Sequence, residues 1–187
     1  MIPRAGSTGP FSVSALRIER SPPAIRVDVR SGCQLVTLCI GVIGSGTCTP
    51  EVAALAEEVG TGIAERGAVL ICGGLGGVME AAARGARSAG GRTVGILPGN
   101  EAASANPYID IPIVTGMGYA RNVIIARTAR VLIAISGSYG TLSEIAHALA
   151  LQKPVVGLLT WDQVPGVRHV TTPREALDEA FALCRER

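Results

Sequence analysis

Three short glycine-rich segments are the part of this sequence best suited to hold a negatively charged group. They cover residues 44–46, 73–77 and 137–141, and each lies between a strand-like apolar run and a segment with helical spacing. Glycine lets backbone N–H groups approach an anion closely, and the helix that follows directs the positive end of its dipole toward the same point. Tight packing of a helix on a strand explains any single loop of this kind. Three such loops at one edge of a sheet favour a phosphate site.

The motifs of two common classes of nucleotide enzyme are absent from the sequence. No G-x-x-x-x-G-K-[ST] segment occurs, and the only lysine, Lys153, lies outside the three loops, which argues against a nucleoside triphosphatase. Gly44-Ser45-Gly46 is followed by Thr47-Cys48-Thr49, so the G-x-G-x-x-G fingerprint of dinucleotide-dependent enzymes is incomplete. Hydride transfer is therefore not expected.

The segments around the loops predict strands that alternate with helices. Thr49 before Pro50 and Glu51 is typical of a helix start, and Gly67 is typical of a helix end. We predict strands at residues 35–43, 68–72, 92–97, 109–114, 131–135 and 155–159, and helices at residues 50–66, 78–89, 119–128, 141–151 and 173–184. Such alternation indicates right-handed crossovers. The expected fold class is α/β, a Rossmann-like, doubly wound, mostly parallel sheet in a three-layer αβα arrangement.

The chain divides by composition into two regions. Residues 1–34 are punctuated by proline and glycine and carry five arginines against two acidic residues. We predict an N-terminal extension there, either loosely structured or forming a short edge strand at Ile25, Val27 and Val29. Residues 35–187 form the predicted Rossmann-like nucleotide- or phosphate-binding domain, in which ligands bind beyond the carboxyl ends of the strands.

Charge, cysteine content and hydropathy limit the possible partners. From residue 35 onward there are twelve basic and thirteen acidic residues, and no cluster of basic and aromatic residues occurs, so nucleic-acid binding is not expected. The five cysteines form no C-x-x-C pair, and no metal site is expected. No apolar run reaches the length of a membrane span and no secretory signal is visible. We therefore expect no membrane partner and a cytoplasmic location.

Three motifs carry a resemblance to known proteins. Ser136-Gly137-Ser138-Tyr139-Gly140-Thr141-Leu142-Ser143-Glu144 resembles the P-G-G-x-G-T-x-x-E motif of the LOG family, the cytokinin riboside 5′-monophosphate phosphoribohydrolases once described as possible lysine decarboxylases. Gly73-Gly74-Leu75-Gly76-Gly77-Val78-Met79-Glu80 matches the second glycine loop of that superfamily. Gly116-Met117-Gly118-Tyr119-Ala120-Arg121-Asn122 is most similar to the molybdenum cofactor carrier branch and its uncharacterised bacterial relatives. The resemblance covers residues 35–160.

The resemblance implies two catalytic residues, Arg121 and Glu144. Cleavage of an N-glycosidic bond builds positive charge on the sugar. The carboxylate of Glu144 would either stabilise this charge or orient the attacking water. Arg121 would steer the phosphate or the leaving base, and Glu80 and Asn122 are further candidates. The implied phosphate- or nucleotide-binding residues are Gly44, Ser45, Gly73, Gly74, Met117, Ser136, Gly137, Ser138, Tyr139, Gly140 and Thr141.

Spacing by itself gives Glu144 a different role. Thr141 and Glu144 are three residues apart at the predicted start of a helix, which is the pattern of a capping box. An acidic residue in the first turn is also favourable because of the helix dipole. Spacing favours capping, and the motif favours a function in the site.

Two function classes follow from the resemblance. The first is a phosphoribohydrolase that cleaves a nucleoside 5′-monophosphate to base and ribose 5-phosphate and requires no cofactor; Arg121 with Glu144 favours it. The alternative is a non-catalytic carrier or sensor of a phosphorylated cofactor such as molybdopterin, or of a nucleotide. Asn122, where LOG enzymes have lysine, and Ser136-Gly137-Ser138 in place of P-G-G favour this alternative.

The expected partners are a small phosphorylated molecule and further copies of the chain. Relatives form homodimers or larger assemblies, so the resemblance implies at least a dimer. The predicted helices at residues 119–128 and 141–151 are apolar with few charges, which is typical of faces buried in a core or against another subunit.

Overall fold

The computed structural model describes residues 37–185, so the predictions for residues 1–34 lie outside the described residues. This part of the chain contains seven strands: β1 (Cys39–Gly44), β2 (Val69–Cys72), β3 (Thr93–Leu97), β4 (Ile111–Val114), β5 (Val131–Ile135), β6 (Val155–Leu158) and β7 (Val167–Val170). Its α-helices are α1 (Pro50–Glu65), α2 (Val78–Ser88), α3 (Asn122–Thr128), α4 (Tyr139–Ala150) and α5 (Pro173–Arg185). Two 3₁₀ segments, Ala102–Ser104 and Gly118–Arg121, complete the described elements.

The described strands form one sheet in the order β4-β3-β2-β1-β5-β6-β7. Every neighbouring pair in it is parallel. The chain leaves β1 toward one edge of the sheet and returns at β5 to build toward the other. Such a reversal opens a crevice at the carboxyl ends of the two central strands, where ligands of doubly wound proteins bind. The predicted α/β, Rossmann-like fold is confirmed, and the described sheet is entirely parallel.

Helices cover both faces of the sheet. One apolar cluster joins the sheet to α1, α2 and α5 through residues such as Val59, Ala82 and Ala176. The other joins it to α3 and α4 through Ile125 and Ile145. Because β5 is covered on both faces, all five of its residues are buried, which explains why its sequence is a continuous apolar run. The two faces of helix packing give the predicted three-layer arrangement.

The differences from the predicted elements concern β1, α4 and β7. β1 begins at Cys39, so residues 37 and 38 of the predicted strand lie outside it. The structure begins α4 at Tyr139 rather than at Thr141, so the predicted start at Thr141 is wrong. β7 was not predicted; it is a four-residue edge strand with the sequence Val-Arg-His-Val, which lacks the alternation of apolar and polar residues that indicates a strand. The predicted helix at residues 119–128 begins with a 3₁₀ turn. The start of α1 is confirmed, since Thr49 Oγ1 accepts a hydrogen bond from Val52 N at 3.4 Å.

Between residues 37 and 185 there is no helix whose length and hydropathy would let it cross a bilayer.

Two glycines allow α1 and α2 to pack in backbone contact. A Cβ atom built on Gly60 of α1 would overlap the carbonyl oxygen of Ala82, and one built on Gly85 of α2 would overlap that of Glu57. Cβ atoms cannot come this close to backbone, so neither position accepts a side chain unless the helices separate. This contact fixes the position of α2 relative to α1 on one face of the sheet.

We expect Gly85→Ala to destabilise the protein by about 2 kcal/mol, because the added methyl group forces the two helices apart. The sign is diagnostic, since replacing glycine by alanine in an exposed helix normally stabilises it by about 0.5–1 kcal/mol. Urea unfolding followed by circular dichroism measures the free energy of unfolding. Gly99→Ala, at an exposed position with nothing near the added carbon, is the matched control and should leave stability nearly unchanged. A Gly85→Ala protein as stable as the wild type would contradict the close packing.

Candidate functional site

The three glycine loops meet at the carboxyl edge of the sheet, as their positions after β1, β2 and β5 require. The first two loops are interlocked. Val78 N, the first amide of α2, donates to the carbonyl oxygen of Ser45 at 3.0 Å. A Cβ on Gly77 would overlap that same carbonyl, and one on Gly44 would lie 2.5 Å from the carbonyl oxygen of Ile135. Close packing of backbone therefore explains Gly44 and Gly77 without a ligand, and it occupies one amide at the start of α2.

The third loop, residues 136–141, is held differently. We call it the phosphate loop. Ser136 has φ +52° and Gly137 has φ +118°, and residues other than glycine rarely adopt a positive φ. Ser136 N donates to Leu158 O at 3.0 Å, and Thr160 Oγ1 donates to Ser136 O at 2.7 Å. The loop is therefore fixed from the β6 side.

The start of α4 has no side-chain cap. Its N-cap residue is Ser138, whose hydroxyl makes no capping hydrogen bond. The first amides of a helix have no partner within the helix, and they require a side chain, water or an anion. Because they point along the helix axis at its positive end, a phosphate group at this position would satisfy them.

Thr141 is the third residue of α4, and its hydroxyl lies under the phosphate loop. The Oγ1 atom is buried and has no hydrogen-bond partner among residues 37–185. A Cβ on Gly137 would overlap Thr141 Oγ1, which shows how closely the loop covers the hydroxyl. An unpaired buried hydroxyl costs free energy, about 1–3 kcal/mol in mutational data. It is one of three buried side-chain polar atoms without a hydrogen-bond partner among residues 37–185, with Arg121 Nε and Trp161 Nε1.

Arg121 and Glu144 form a buried ion pair beside the phosphate loop. Their side chains are 9% and 8% exposed, and Arg121 Nη1 lies 3.3 Å from Glu144 Oε1. Arg121 comes from the 3₁₀ turn before α3, and Glu144 comes from the second turn of α4. The capping-box interpretation of Glu144 is wrong, because Thr141 is inside the helix rather than at its cap and the carboxylate accepts from Arg121.

The electrostatics of this pair are set by burial. Loss of water around the carboxyl raises the pKa of Glu144 to about 7, although the charge of Arg121 and its hydrogen bond act to lower it. Arg121 Nε is buried without a partner among the described residues. The guanidinium also lies against Gly73, where a Cβ would be 2.5 Å from Nη2. Gly73 is therefore required because a larger residue would displace Arg121.

Cys72 holds the second loop in place. Its Sγ accepts a hydrogen bond from Gly74 N at 3.3 Å and lies 3.9 Å from Met79 O. Gly74 has φ +74°, a conformation that glycine adopts readily, and the Cys72 thiol holds the loop at this turn. Burial raises the pKa of Cys72 to about 12, and the thiol is consequently unreactive at neutral pH.

The remaining predicted residues lie around the same edge. Asn122 Nδ2 donates to Gly140 O at 3.4 Å, which joins the start of α3 to the start of α4. Met117 is 47% exposed and Tyr139 is 81% exposed. Glu80 Oε2 would lie 3.8 Å from a Cβ on Gly76, so its carboxylate is next to the second loop.

Two contributors to the site were not predicted from the sequence. Thr160 and Trp161 follow β6, and the Trp161 ring packs on that of Tyr139 with centroids 5.8 Å apart. The loop after β6 has a single glycine, Gly166, at its far end next to β7, and it resembles no binding motif. The only available signal is the position of the single tryptophan just beyond a predicted strand. Among residues 37–185, no three His, Cys, Asp or Glu side chains are grouped so that they could hold a metal ion.

Comparison with known proteins gives a consistent set of relatives. The sequence profile of the SLOG cluster4 family matches residues 37–180. An uncharacterised protein of Archaeoglobus fulgidus is 51% identical over 139 residues, which are 74% of this chain and 91% of that protein. The cytokinin riboside 5′-monophosphate phosphoribohydrolase of Mycobacterium tuberculosis is 36% identical over 128 residues, 63% of this chain and 68% of that protein.

A solved structure agrees with these sequence relatives. The molybdenum cofactor binding protein of the phototrophic bacterium Rippkaea orientalis is 37% identical and superposes with a TM-score of 0.76. The match covers 80% of this chain and 99% of that one. The predicted resemblance to LOG enzymes and molybdenum cofactor carriers is therefore confirmed.

The buried carboxyl of Glu144 generates a prediction about pH. Its pKa is raised from 4.5 to about 7 in the folded protein, so the folded state binds the proton more tightly than the unfolded chain does. The free energy of unfolding should therefore fall as pH rises from 4.5 to 7, by up to about 3 kcal/mol from this group. Glu144→Gln removes the titration, so urea unfolding across this range should show a weaker decline in the variant. Glu101→Gln, at an exposed position, is the control. Parallel pH profiles for the wild type and Glu144→Gln would contradict the burial of an ionisable group here.

Proposed function

This chain belongs to the SLOG cluster4 family, and from that premise we propose that it binds a small phosphorylated ligand at the start of α4. One observation carries the proposal. Ser138, the N-cap residue, gives the helix no side-chain cap, in a crevice where the sheet topology reverses. Amides without partners at the positive end of a helix bind anions, and phosphate is the anion that most often occupies such positions.

We further propose that the ligand is a nucleoside 5′-monophosphate and that its N-glycosidic bond is hydrolysed. Water adds to C1′ of the ribose as the C1′–N bond breaks, and one proton of the water leaves with the base. Glu144 would be ionised in part at neutral pH, since its pKa is about 7. It could therefore stabilise the positive sugar as a carboxylate or carry the proton. Arg121 would hold the carboxylate in position and balance the charge of the ligand. The similarity to a phosphoribohydrolase supports this reaction.

A specific observation favours the second candidate, a non-catalytic carrier or sensor of a phosphorylated cofactor or nucleotide. The Glu144 side chain is only 8% exposed and bonds to Arg121, so its carboxylate is engaged within the protein. A molybdenum cofactor binding protein matches over nearly its full length. Both candidates bind phosphate at the same place, the phosphate loop together with the uncapped start of α4, which we call the phosphate seat. They differ in whether Glu144 contacts the ligand.

Assembly into homodimers or larger oligomers belongs to the same proposal. The packing of Ile125 and Ile145 within the core uses the apolar faces of α3 and α4, so these residues do not supply a subunit surface. Exposed apolar side chains occur instead on the edge strand β4, at Ile111, Ile113 and Val114. Multi-angle light scattering should give a mass at least twice that of the 19.2 kDa chain. A monomer at micromolar concentration would contradict this part of the proposal.

The two candidates are separated by incubating the purified protein with AMP and measuring free adenine by chromatography. If the protein is a hydrolase, we expect adenine and ribose 5-phosphate in equal amounts. Glu144→Ala should then lower the rate about 100-fold or more, the usual contribution of a general acid or base. Glu101→Ala is the matched control and should keep full activity. AMP that binds without release of adenine would support the carrier.

The phosphate seat is tested separately from the chemistry. In Gly137→Ala the added methyl group would overlap Thr141 Oγ1 at a φ of +118°, so the phosphate loop must change shape. We expect binding of ribose 5-phosphate and AMP, measured by isothermal titration calorimetry, to fall at least tenfold, with circular dichroism unchanged. Gly46→Ala, which has free space around the added carbon, should bind as the wild type does. Failure of the wild-type protein to bind any phosphorylated probe would overturn the proposed function.

A further inference from the structure

Exposed aromatic side chains are concentrated at the carboxyl edge of the sheet. The sequence contains only six aromatic residues, and three of them, Tyr119, Tyr139 and Trp161, lie in segments that follow the carboxyl ends of strands. Tyr119 is 85% exposed and Tyr139 is 81% exposed. A large aromatic ring left in water gives up the stability that its burial would provide. Their concentration at the edge that carries the phosphate loop suggests a role in binding.

Tyr139 and Trp161 form an aromatic pair beside the phosphate loop. Their ring centroids are 5.8 Å apart and the rings are inclined by 38°. Because Tyr139 is 81% exposed, most of its ring surface is open to solvent, and Trp161 packs against the remainder. No hydrogen bond fixes the indole, because Nε1 has no partner among residues 37–185.

The backbone keeps this pair close to the phosphate seat. Tyr139 is the first residue of α4, so its Cα atom is about 3.8 Å from those of its two neighbours in the phosphate loop. Trp161 follows Thr160, whose hydroxyl donates to the carbonyl oxygen of Ser136 at 2.7 Å. Leu159 has φ +53° and turns the chain back from β6 toward the loop. The two rings and the uncapped amides are therefore parts of one connected surface.

We infer that the aromatic pair is the surface on which a planar ring of the ligand stacks. This inference rests on the proposed phosphate seat and adds the recognition of the other end of the ligand. Stacking on an aromatic face depends on the π-system and tolerates different rings, so the substrate class is phosphorylated heteroaromatic compounds, such as purine nucleotides and pterins. Trp161 is a positioning residue that keeps the Tyr139 ring in place, and Tyr139 makes the contact.

The single tryptophan gives a direct test. With excitation at 295 nm, Trp161 is the only fluorophore, and a ring stacked on the aromatic pair should change its emission. The probes are AMP, GMP, a phosphorylated pterin, ribose 5-phosphate and inorganic phosphate, and calorimetry measures binding of each one independently of fluorescence. We expect a ring-bearing probe to quench Trp161 and to bind about tenfold more tightly than ribose 5-phosphate, a difference of about 1.4 kcal/mol. Ribose 5-phosphate should bind without quenching.

Variants separate the ring contact from the seat. Tyr139→Ala should remove the tenfold advantage of the ring-bearing probe and leave the affinity for ribose 5-phosphate unchanged, while Tyr139→Phe should retain both. Trp161→Phe should lower affinity for the ring-bearing probe by a smaller factor. Tyr108→Ala is the control and should leave both affinities unchanged, since Tyr108 bonds through its carbonyl oxygen to Thr93 at the start of β3, at the opposite end of the strands.

Several outcomes would overturn the inference, and they are distinguishable from failure of the phosphate seat. If ribose 5-phosphate binds and no ring-bearing probe binds better or quenches, the seat stands and the stacking surface does not. An equal loss of both affinities in Tyr139→Ala would mean that this residue only shapes the loop. A lower mass of Tyr139→Ala by light scattering with unchanged affinities would assign the rings to a contact between copies. Absence of binding by every probe would overturn the seat and the inference together.

Discussion

The geometry of a parallel sheet is the constraint on which the rest of this protein depends. All described strands run in the same direction, so the loops after β1, β2, β5 and β6 emerge at one edge. Between β1 and β5 the chain reverses its direction of growth, so the connections that follow these two strands leave in opposite directions. Helix dipoles from both sides of the sheet converge on the crevice between the two strands. The connectivity of the chain therefore brings the glycine loops and the starts of the helices to this edge before any side chain is considered.

Glycines in similar sequence contexts are required for different physical reasons at this edge of the sheet. Gly44 and Gly77 permit two loops to touch through their backbones, and the amide of Val78 is consumed by that contact. Gly73 leaves room for a guanidinium. The phosphate loop is supported from outside by Leu158 and Thr160, and within residues 37–185 the N-cap residue Ser138 gives the start of α4 no side-chain cap. A glycine-rich motif thus marks close approach, and only the contacts reveal whether the approaching group is protein or ligand.

The Arg121–Glu144 pair connects the two candidate functions. Removing a carboxylate and a guanidinium from water is expensive, and their mutual attraction offsets only part of the penalty, which is why the pKa of Glu144 remains raised to about 7. A hydrolase would use the raised pKa of Glu144 for proton transfer. A carrier would use the ion pair as a rigid, charged part of the site. A phosphoribohydrolase and a molybdenum cofactor binding protein are both similar to this chain. The two candidate functions therefore differ in how Glu144 and the residues around it would contact the ligand.

The sequence by itself determined the order of the described helices and of the first six strands, the mostly parallel sheet and the convergence of its glycine loops, because periodicity and turn residues are local properties. It also identified Arg121 and Glu144 through their motifs. The tertiary structure decided that these two residues meet as a buried pair, that α4 begins at Tyr139 and that the loop after β6 supports the phosphate loop. Those facts depend on contacts between segments far apart in the chain, such as Thr160 with Ser136 and Tyr139 with Trp161. No local pattern encodes such contacts, since they arise only when the sheet sets distant loops side by side.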